Sequence, residues 1–206
     1  MCKKRELEKI LFYKKFKNIL SIDEVGRGCL AGPFWIGGLY FNKKYFKKLS
    51  KININDSKKL NFFKRKIIFK SIIKTDPKFK IIKFSNKKID KYGISYCFNR
   101  AVIKLTEYFK PDIVLVDGKE IKYLKKEIKR IKFIVKGDEK IISIGAISII
   151  TKYLRDVYMK KISRKICGYF LEKNKGYGTK EHIRKIKIYG PSEIHRLSFL
   201  KNYFKY

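Results

Sequence analysis

Short apolar runs alternate along the chain with longer stretches in which apolar residues recur every three or four positions. The runs Ile19 to Ile22, Phe34 to Phe41, Phe79 to Phe84, Ile113 to Val116 and Ile131 to Val135 predict strands. Helical spacing is found in Asn61 to Ile73, Ile94 to Phe109, Ser143 to Ile166 and Lys180 to Ile188, with Asn61 and Thr179 as N-caps. Strands alternating with helices predict an α/β sheet. Pro33 and Gly37-Gly38 suit a hairpin partner of the first strand better than a central parallel strand, so the sheet is expected to be mixed. The length of 206 residues fits one domain, 1–206, whose segment from about 170 to 206 forms a short C-terminal helical appendage. No internal repeat or disordered linker interrupts it.

The ends of two predicted strands carry acid. Ile22 to Gly32 reads IDEVGRGCLAG and sets Asp23 and Glu24 beside Arg27, which Gly26 and Gly28 flank. The run Ile113 to Val116 delivers Asp117 and then turns at Gly118. In open α/β sheets ligands collect at the carboxyl ends of strands. Taken alone, Asp-Glu-x-Gly reads as an acidic turn and Asp-Gly as ordinary turn chemistry. A third acidic position, Asp156, stands beside the apolar stripe Ile147, Ile150, Leu154 and Val157 of the long helix; alone it reads as solvated or paired with Lys152 or Lys160. Together these residues form a candidate carboxylate cluster, which requires cations to offset mutual repulsion. Magnesium or manganese suits oxygen ligands, and two such ions about 4 Å apart can activate water and stabilise a departing oxygen on a phosphodiester. Side chains alternate across a strand, so Asp23 and Glu24 can share such a site only if the strand ends or bulges at Glu24.

Charge adds a partner class. Lys plus Arg outnumber Asp plus Glu by 53 to 18, a formal net charge of +35. Nucleic acid is the natural polyanion for that excess, and binding driven by it weakens steeply with salt. Cys2, Cys29, Cys97 and Cys167 show neither zinc nor disulfide spacing. No secretory signal and no run of the roughly twenty apolar residues needed for a membrane span is found, so a soluble cytoplasmic protein is expected; its expected form is a monomer. His182 and His195 are the only histidines, and both read as structural or phosphate-side groups.

From Ile19 to Phe199 the chain resembles the bacterial ribonuclease HII family. The matching motifs are IDEVGRG, DSKKL at Asp56 to Leu60, VDG at Val116 to Gly118, KGD at Lys136 to Asp138, the pattern from Ser143 to Asp156, NKGYGT at Asn174 to Thr179 and YGPSEIHRLSF at Tyr189 to Phe199. The resemblance implies an RNase H-like fold with a central five-stranded mixed sheet flanked by helices. It implies catalytic metal ligands at Asp23, Glu24, Asp117 and Asp156. It also implies cleavage of RNA in RNA/DNA hybrids, and cleavage 5′ to ribonucleotides embedded in duplex DNA, leaving 3′-hydroxyl and 5′-phosphate ends. Gly26, Arg27 and Gly28 are then expected to bring backbone groups to the sugar, Ser57, Lys58 and Lys59 to hold phosphate, and Tyr177 to read the 2′-hydroxyl at the junction. Arg155 is expected to be structural or backbone-binding.

Several positions depart from the family pattern. Cys29 stands where proline is common, Phe34-Trp35 replaces smaller aliphatics, and Gly145, Ile147, Thr151 and Tyr153 occupy long-helix positions usually small or aliphatic. Gly145 costs about 1 kcal/mol relative to alanine in a helix, and the larger Ile147 predicts a loosely packed core. The related ribonuclease HIII family usually has lysine at the position of Arg27. A reading from a different class is a non-catalytic basic nucleic-acid-binding protein that retains the fold.

Overall fold

The computed structural model describes residues 6–13, 16–54, 61–201 and 203. Among these, α1 (Glu6–Tyr13) precedes the hairpin β1 (Asn18–Val25) and β2 (Phe34–Asn42). Helices α2 (Lys43–Leu49) and α3 (Phe62–Ile73) lead to β3 (Lys78–Phe84), and α4 (Asn86–Tyr92) and α5 (Ile94–Phe109) lead to β4 (Ile113–Asp117). Helix α6 (Lys122–Glu127), β5 (Ile131–Ile134) and α7 (Gly137–Lys140) precede the long α8 (Ile142–Ser163). Helices α9 (Leu171–Asn174), α10 (Lys180–Tyr189) and α11 (Leu197–Leu200) follow.

The five strands form one sheet in the order β3-β2-β1-β4-β5. β1 pairs antiparallel with β2 and parallel with β4, β2 pairs antiparallel with β3, and β4 pairs parallel with β5. The sheet is mixed, as the hairpin reading of Phe34 to Phe41 required. Asn61 caps α3 by accepting from the Lys64 amide at 2.9 Å, and Thr179 caps α10 by accepting from the His182 amide at 3.2 Å.

Strand alternation divides the core. Ile19, Leu39 and Leu115 face α8, α3, α2 and α1, whereas Leu20, Ile22, Ile36, Val114 and Val116 face α5, α4 and α6. α8 therefore lies across one face of the sheet and α5 across the other. A third cluster joins Leu30 and Ala31, in the loop after β1, to Met159 of α8 and to Tyr169, Leu171, Ile186 and Leu200 of the C-terminal segment.

The expectation of a loosely packed core beneath Ile147 does not hold. Ile147 is fully buried, and Gly37 of β2 makes its room: a methyl group at Gly37 would stand 2.4 Å from Thr151 Cγ2 and 2.9 Å from Ile147 Cδ1. Gly145 has a similar reason, since a methyl there would meet the Asp138 carbonyl at 3.0 Å and Ile54 Cγ2 at 3.1 Å. The two bulky helix residues are matched by an absent side chain on the strand, and the helix glycine admits the α7 turn.

Candidate active site

The parallel ladder between β1 and β4 ends at the pair Ile22 and Val116. Asp23, Glu24 and Asp117 are the residues immediately beyond it, where the two strands part and open a cleft at their carboxyl ends. Asp23, Glu24, Gly26, Arg27, Gly28, Asp117, Asp138, Ser148, Lys152 and Tyr177 are among the residues lining this cleft, whose volume is about 240 Å³.

Asp23 lies on the α8 face and is 6% exposed. Its carboxylate accepts from the Ser148 side chain of α8, and its Oδ1 accepts from the Glu24 amide at 2.8 Å. Burial, followed by the negative charges of Glu24 and Asp117, raises its pKa well above the ordinary carboxylate range. Asp117 Oδ1 accepts from the Gly137 amide at 2.6 Å, which ties the end of β4 to the start of α7.

Glu24 does not behave as expected. β1 neither ends nor bulges there, because its antiparallel pairing continues through Glu24 with Ile36 and Val25 with Trp35. Alternation consequently sends Glu24 toward the α5 face, where its Oε1 accepts from Arg27 Nε at 2.9 Å. The Arg27 guanidinium in turn lies 4.8 Å from the Phe98 ring centre and 5.5 Å from that of Phe34. Yet Glu24 still lines the cleft, since beyond Ile22 no β4 backbone closes that side. Burial raises its pKa, Arg27 opposes the shift, and the charge of Asp117 adds to it.

Asp156 is placed apart from these acids. It does not line the cleft; its Oδ2 accepts from Arg65 Nη1 of α3 at 2.7 Å, an ion pair between two nearly buried side chains. Neither Lys152 nor Lys160 is its ion-pair partner. Ser148 and Lys152 are the α8 residues that line the cleft, and Asp156 stands four residues beyond Lys152, about 6 Å further along the helix axis. Among the described residues, the fourth acid of the cleft is Asp138 on α7, 1% exposed. The same rule that selects Asp23 and Asp117 leads to it: β5 runs parallel to β4 and ends at Ile134, level with Asp117, and Asp138 follows four residues later. Lys136 at φ +58° turns the chain into α7 and presents Asp138 at the same edge of the sheet.

Among the described residues, no three histidine, cysteine or acidic side chains stand close enough to form a finished metal cage. The donor set nevertheless suits hard divalent ions. It consists of carboxylates alone, Asp23 is disfavoured as an anion by its acidic neighbours, and a cation among them would reverse that penalty.

Two loops form the rest of the rim. Gly26 adopts φ +83°, and a methyl there would lie 2.6 Å from Arg155 Nε, so its glycine is needed for packing; Gly28 faces open space over the cleft. Cys29 pairs with Tyr177 in an isolated antiparallel bridge, and the Leu30 amide donates to the Gly176 carbonyl at 2.8 Å. The Tyr177 side chain, 41% exposed, thus sits beside the Gly26 to Gly28 turn. Its phenol is pushed up to about 12, mainly by burial and then by the nearby Cys29 sulfur. Arg155 donates to the carbonyls of Pro33 and Lys175, both at 3.0 Å, and so ties protein loops together. Ser57, Lys58 and Lys59 lie outside the described residues.

The profile of the family "Ribonuclease HII" matches residues 20–202. The chain is 43% identical over 197 residues to the ribonuclease HII of Clostridium perfringens strain 13, covering 93% of this chain and 71% of that protein. Its fold is similar to the ribonuclease HII in a complex with PCNA from Archaeoglobus fulgidus, with a TM-score of 0.77, 23% identity, and coverage of 89% of this chain and 94% of that one. It is also similar to Bst-RNase HIII in complex with Mn2+, with a TM-score of 0.63, 21% identity, and coverage of 84% of this chain and 63% of that one. These likenesses favour an endonuclease over a non-catalytic binder that keeps the fold. Acids gathered at the ends of three parallel strands, within an RNase H-like sheet matched along nearly its whole length, place the chain in the ribonuclease HII family of hydrolytic endonucleases.

Proposed function

We propose that the chain cleaves RNA within RNA/DNA duplexes, and cleaves on the 5′ side of ribonucleotides embedded singly in duplex DNA, leaving 3′-hydroxyl and 5′-phosphate ends. The observation that carries this reading is the meeting of Asp23, Glu24, Asp117 and Asp138 in one cleft with Tyr177 on its rim. Asp138 takes the place in the ligand set that Asp156 held in the sequence reading, because Asp138 lines the cleft whereas Asp156 does not line it and is engaged by Arg65. Two divalent ions, magnesium or manganese, would supply activation of the attacking water and stabilisation of the departing oxygen. Asp23, Asp117 and Asp138 would hold them on the α8 side and Glu24 from the side of Arg27.

The remaining residues orient the duplex. Gly28 leaves the backbone around Arg27 bare, so that amides of this turn can approach the one sugar distinguished by its 2′-hydroxyl. The Tyr177 ring offers an apolar face for the nucleotide next to that sugar and a hydroxyl beside it. Lys152 lines the cleft, and burial lowers its pKa; it is placed to receive a phosphate oxygen. Ser57, Lys58 and Lys59 are assigned to phosphate on their motif alone. The lysine excess supplies affinity independent of sequence, and a monomer acting in the cytoplasm is the simplest form of the enzyme.

The test is a duplex with one ribonucleotide, incubated with magnesium or manganese. Nicking 5′ to the ribose that Asp117→Asn abolishes, while duplex binding persists, supports the proposal. Equal nicking of an all-DNA duplex, or full activity in Asp117→Asn, would refute it.

A further inference from the structure

His182 and His195 are both buried, 0% and 1% exposed, with their Nε2 atoms 3.1 Å apart. Their outer nitrogens determine where every proton lies. The Ser192 amide donates to His195 Nδ1 at 2.9 Å, and Ser192 Oγ stands 2.8 Å from the same nitrogen. An amide can only donate, so His195 Nδ1 carries no proton and the neutral ring holds its proton on Nε2. That proton points at His182 Nε2, which must then accept, leaving the His182 proton on Nδ1. His182 Nδ1 lies 2.9 Å from the Tyr177 carbonyl, which can only accept. Amide, imidazole, imidazole and carbonyl thus form one directional chain with a single neutral arrangement.

The chain ends on the backbone of the residue to which junction reading is assigned. Tyr177 is otherwise held from its opposite side by the bridge to Cys29 and by Gly176, at which a methyl would lie 2.2 Å from the Ala31 carbonyl. The side chain between these two supports lines the cleft. We propose that the His182–His195 pair is a positioning device that sets the Tyr177 ring against the cleft carboxylates. This rests on the reading of Tyr177 as the junction-contacting residue. Phosphate contacts dominate duplex affinity, so the pair acts on turnover at the ribose and not on binding.

The variants His182→Leu, His182→Asn and Tyr177→Ala of the full chain test this, assayed on a duplex with one ribonucleotide at saturating magnesium. His182→Leu removes the donor to the Tyr177 carbonyl. His182→Asn restores one, because its amide nitrogen falls near the position of Nδ1. A displaced reading group costs on the order of tenfold or more in kcat, with KM changed by less than about twofold, and the asparagine variant recovers most of the loss. Wild-type turnover in His182→Leu beside a crippled Tyr177→Ala would overturn the positioning role while sparing Tyr177. Wild-type turnover in Tyr177→Ala would remove the reading on which the inference rests. Should His182→Leu fail to fold, nitrogen NMR of the unmodified protein decides: protons on His182 Nδ1 and His195 Nε2 are required, and the opposite tautomers overturn the proposal.

Discussion

Glu8 is a buried carboxylate whose titration should be visible in the stability of the whole protein. It lies on α1, is 0% exposed, and reaches the first turn of α8, where its Oε1 accepts from the Ser143 amide at 2.8 Å and from Ser143 Oγ at 2.6 Å. Ser143 Oγ also meets Ser21 Oγ of β1 at 2.7 Å. α8 has no side-chain cap of its own, since its N-cap is Ile141, so Glu8 serves as a cap delivered from another helix. Those hydrogen bonds favour the anion. Burial opposes them and wins, raising the carboxyl from 4.5 to about 7.

A shift from 4.5 to about 7 corresponds to about 3 kcal/mol. The folded protein holds this proton more tightly than the unfolded chain does, so the contribution is fully present below pH 4.5 and is lost as pH rises toward 7. Glu8→Gln keeps an oxygen for the Ser143 amide and cannot titrate. The stability of the wild type relative to Glu8→Gln should therefore fall by about 3 kcal/mol between pH 4.5 and about pH 8. The difference is the quantity to measure, because His195 acts in the reverse sense. Burial depresses its pKa to about 4, so its contribution is present above 6.5 and is lost as pH falls toward 4, equally in both proteins. Urea unfolding at fixed ionic strength is the assay, since guanidinium would screen the +35 charge. Parallel stability curves for the two proteins, or a gap that widens in favour of the wild type as pH rises, would refute the reasoning.

Asp138 and Asp156 should separate in a nicking assay. Asp138→Asn is expected to lower metal-dependent turnover by about 100-fold or more with duplex binding retained, as removal of a metal ligand should. Asp156→Asn should retain turnover within several-fold at temperatures where it is folded, but lose about 3 kcal/mol in urea unfolding, because it removes the charge opposite nearly buried Arg65. Gly37→Ala forces a methyl toward Thr151 Cγ2 and should cost about 1–3 kcal/mol; Thr151→Ser, which deletes that methyl, should recover part of it in a double-mutant cycle.

The sheet was legible because each buried strand announces itself as an apolar run. The five runs correspond to the five strands, and the mixed order followed from Pro33 and the glycine pair of β2. What the runs could not show was the extent of β1. It continues through Asp23 and Glu24 to Val25 on backbone pairing with β2, after its apolar run has been broken by the two acids. Short lysine-rich helices such as α4 and α6 were hidden for a related reason, since each buries a single residue, Ile89 and Leu124 respectively. At the site, Asp23 and Asp117 were readable as acids closing apolar runs. Asp138 closes none: it lies in a four-residue helix that a left-handed Lys136 sets off from β5, and only the parallel alignment of β5 with β4 reveals that it shares their edge. The position of Asp156 relative to the cleft was not readable, because closeness to an apolar stripe says which side of a helix a residue occupies, not how far along the axis the cleft lies.

The C-terminal segment is more than an appendage to this sheet. The loop from Gly26 to Pro33 has isolated bridges but no regular ladder, and its carbonyls are collected by two fully buried arginines. Arg155 takes those of Pro33 and, at 3.5 Å, Ala31; Arg196 takes those of Gly32 and Arg27, each at 3.0 Å. Burying guanidinium groups against carbonyls alone is costly, and it pushes Arg196 down to about 10. The return is geometric: a planar fork of donors fixes several carbonyls at once. One fork comes from α8, which also carries Ser148 into the cleft, and the other from the segment just after His195. Both the Arg27 turn and the Tyr177 loop are thus referenced to the same two elements, so the spacing between the cleft acids and the tyrosine is set by buried side chains rather than by the loops that bear them.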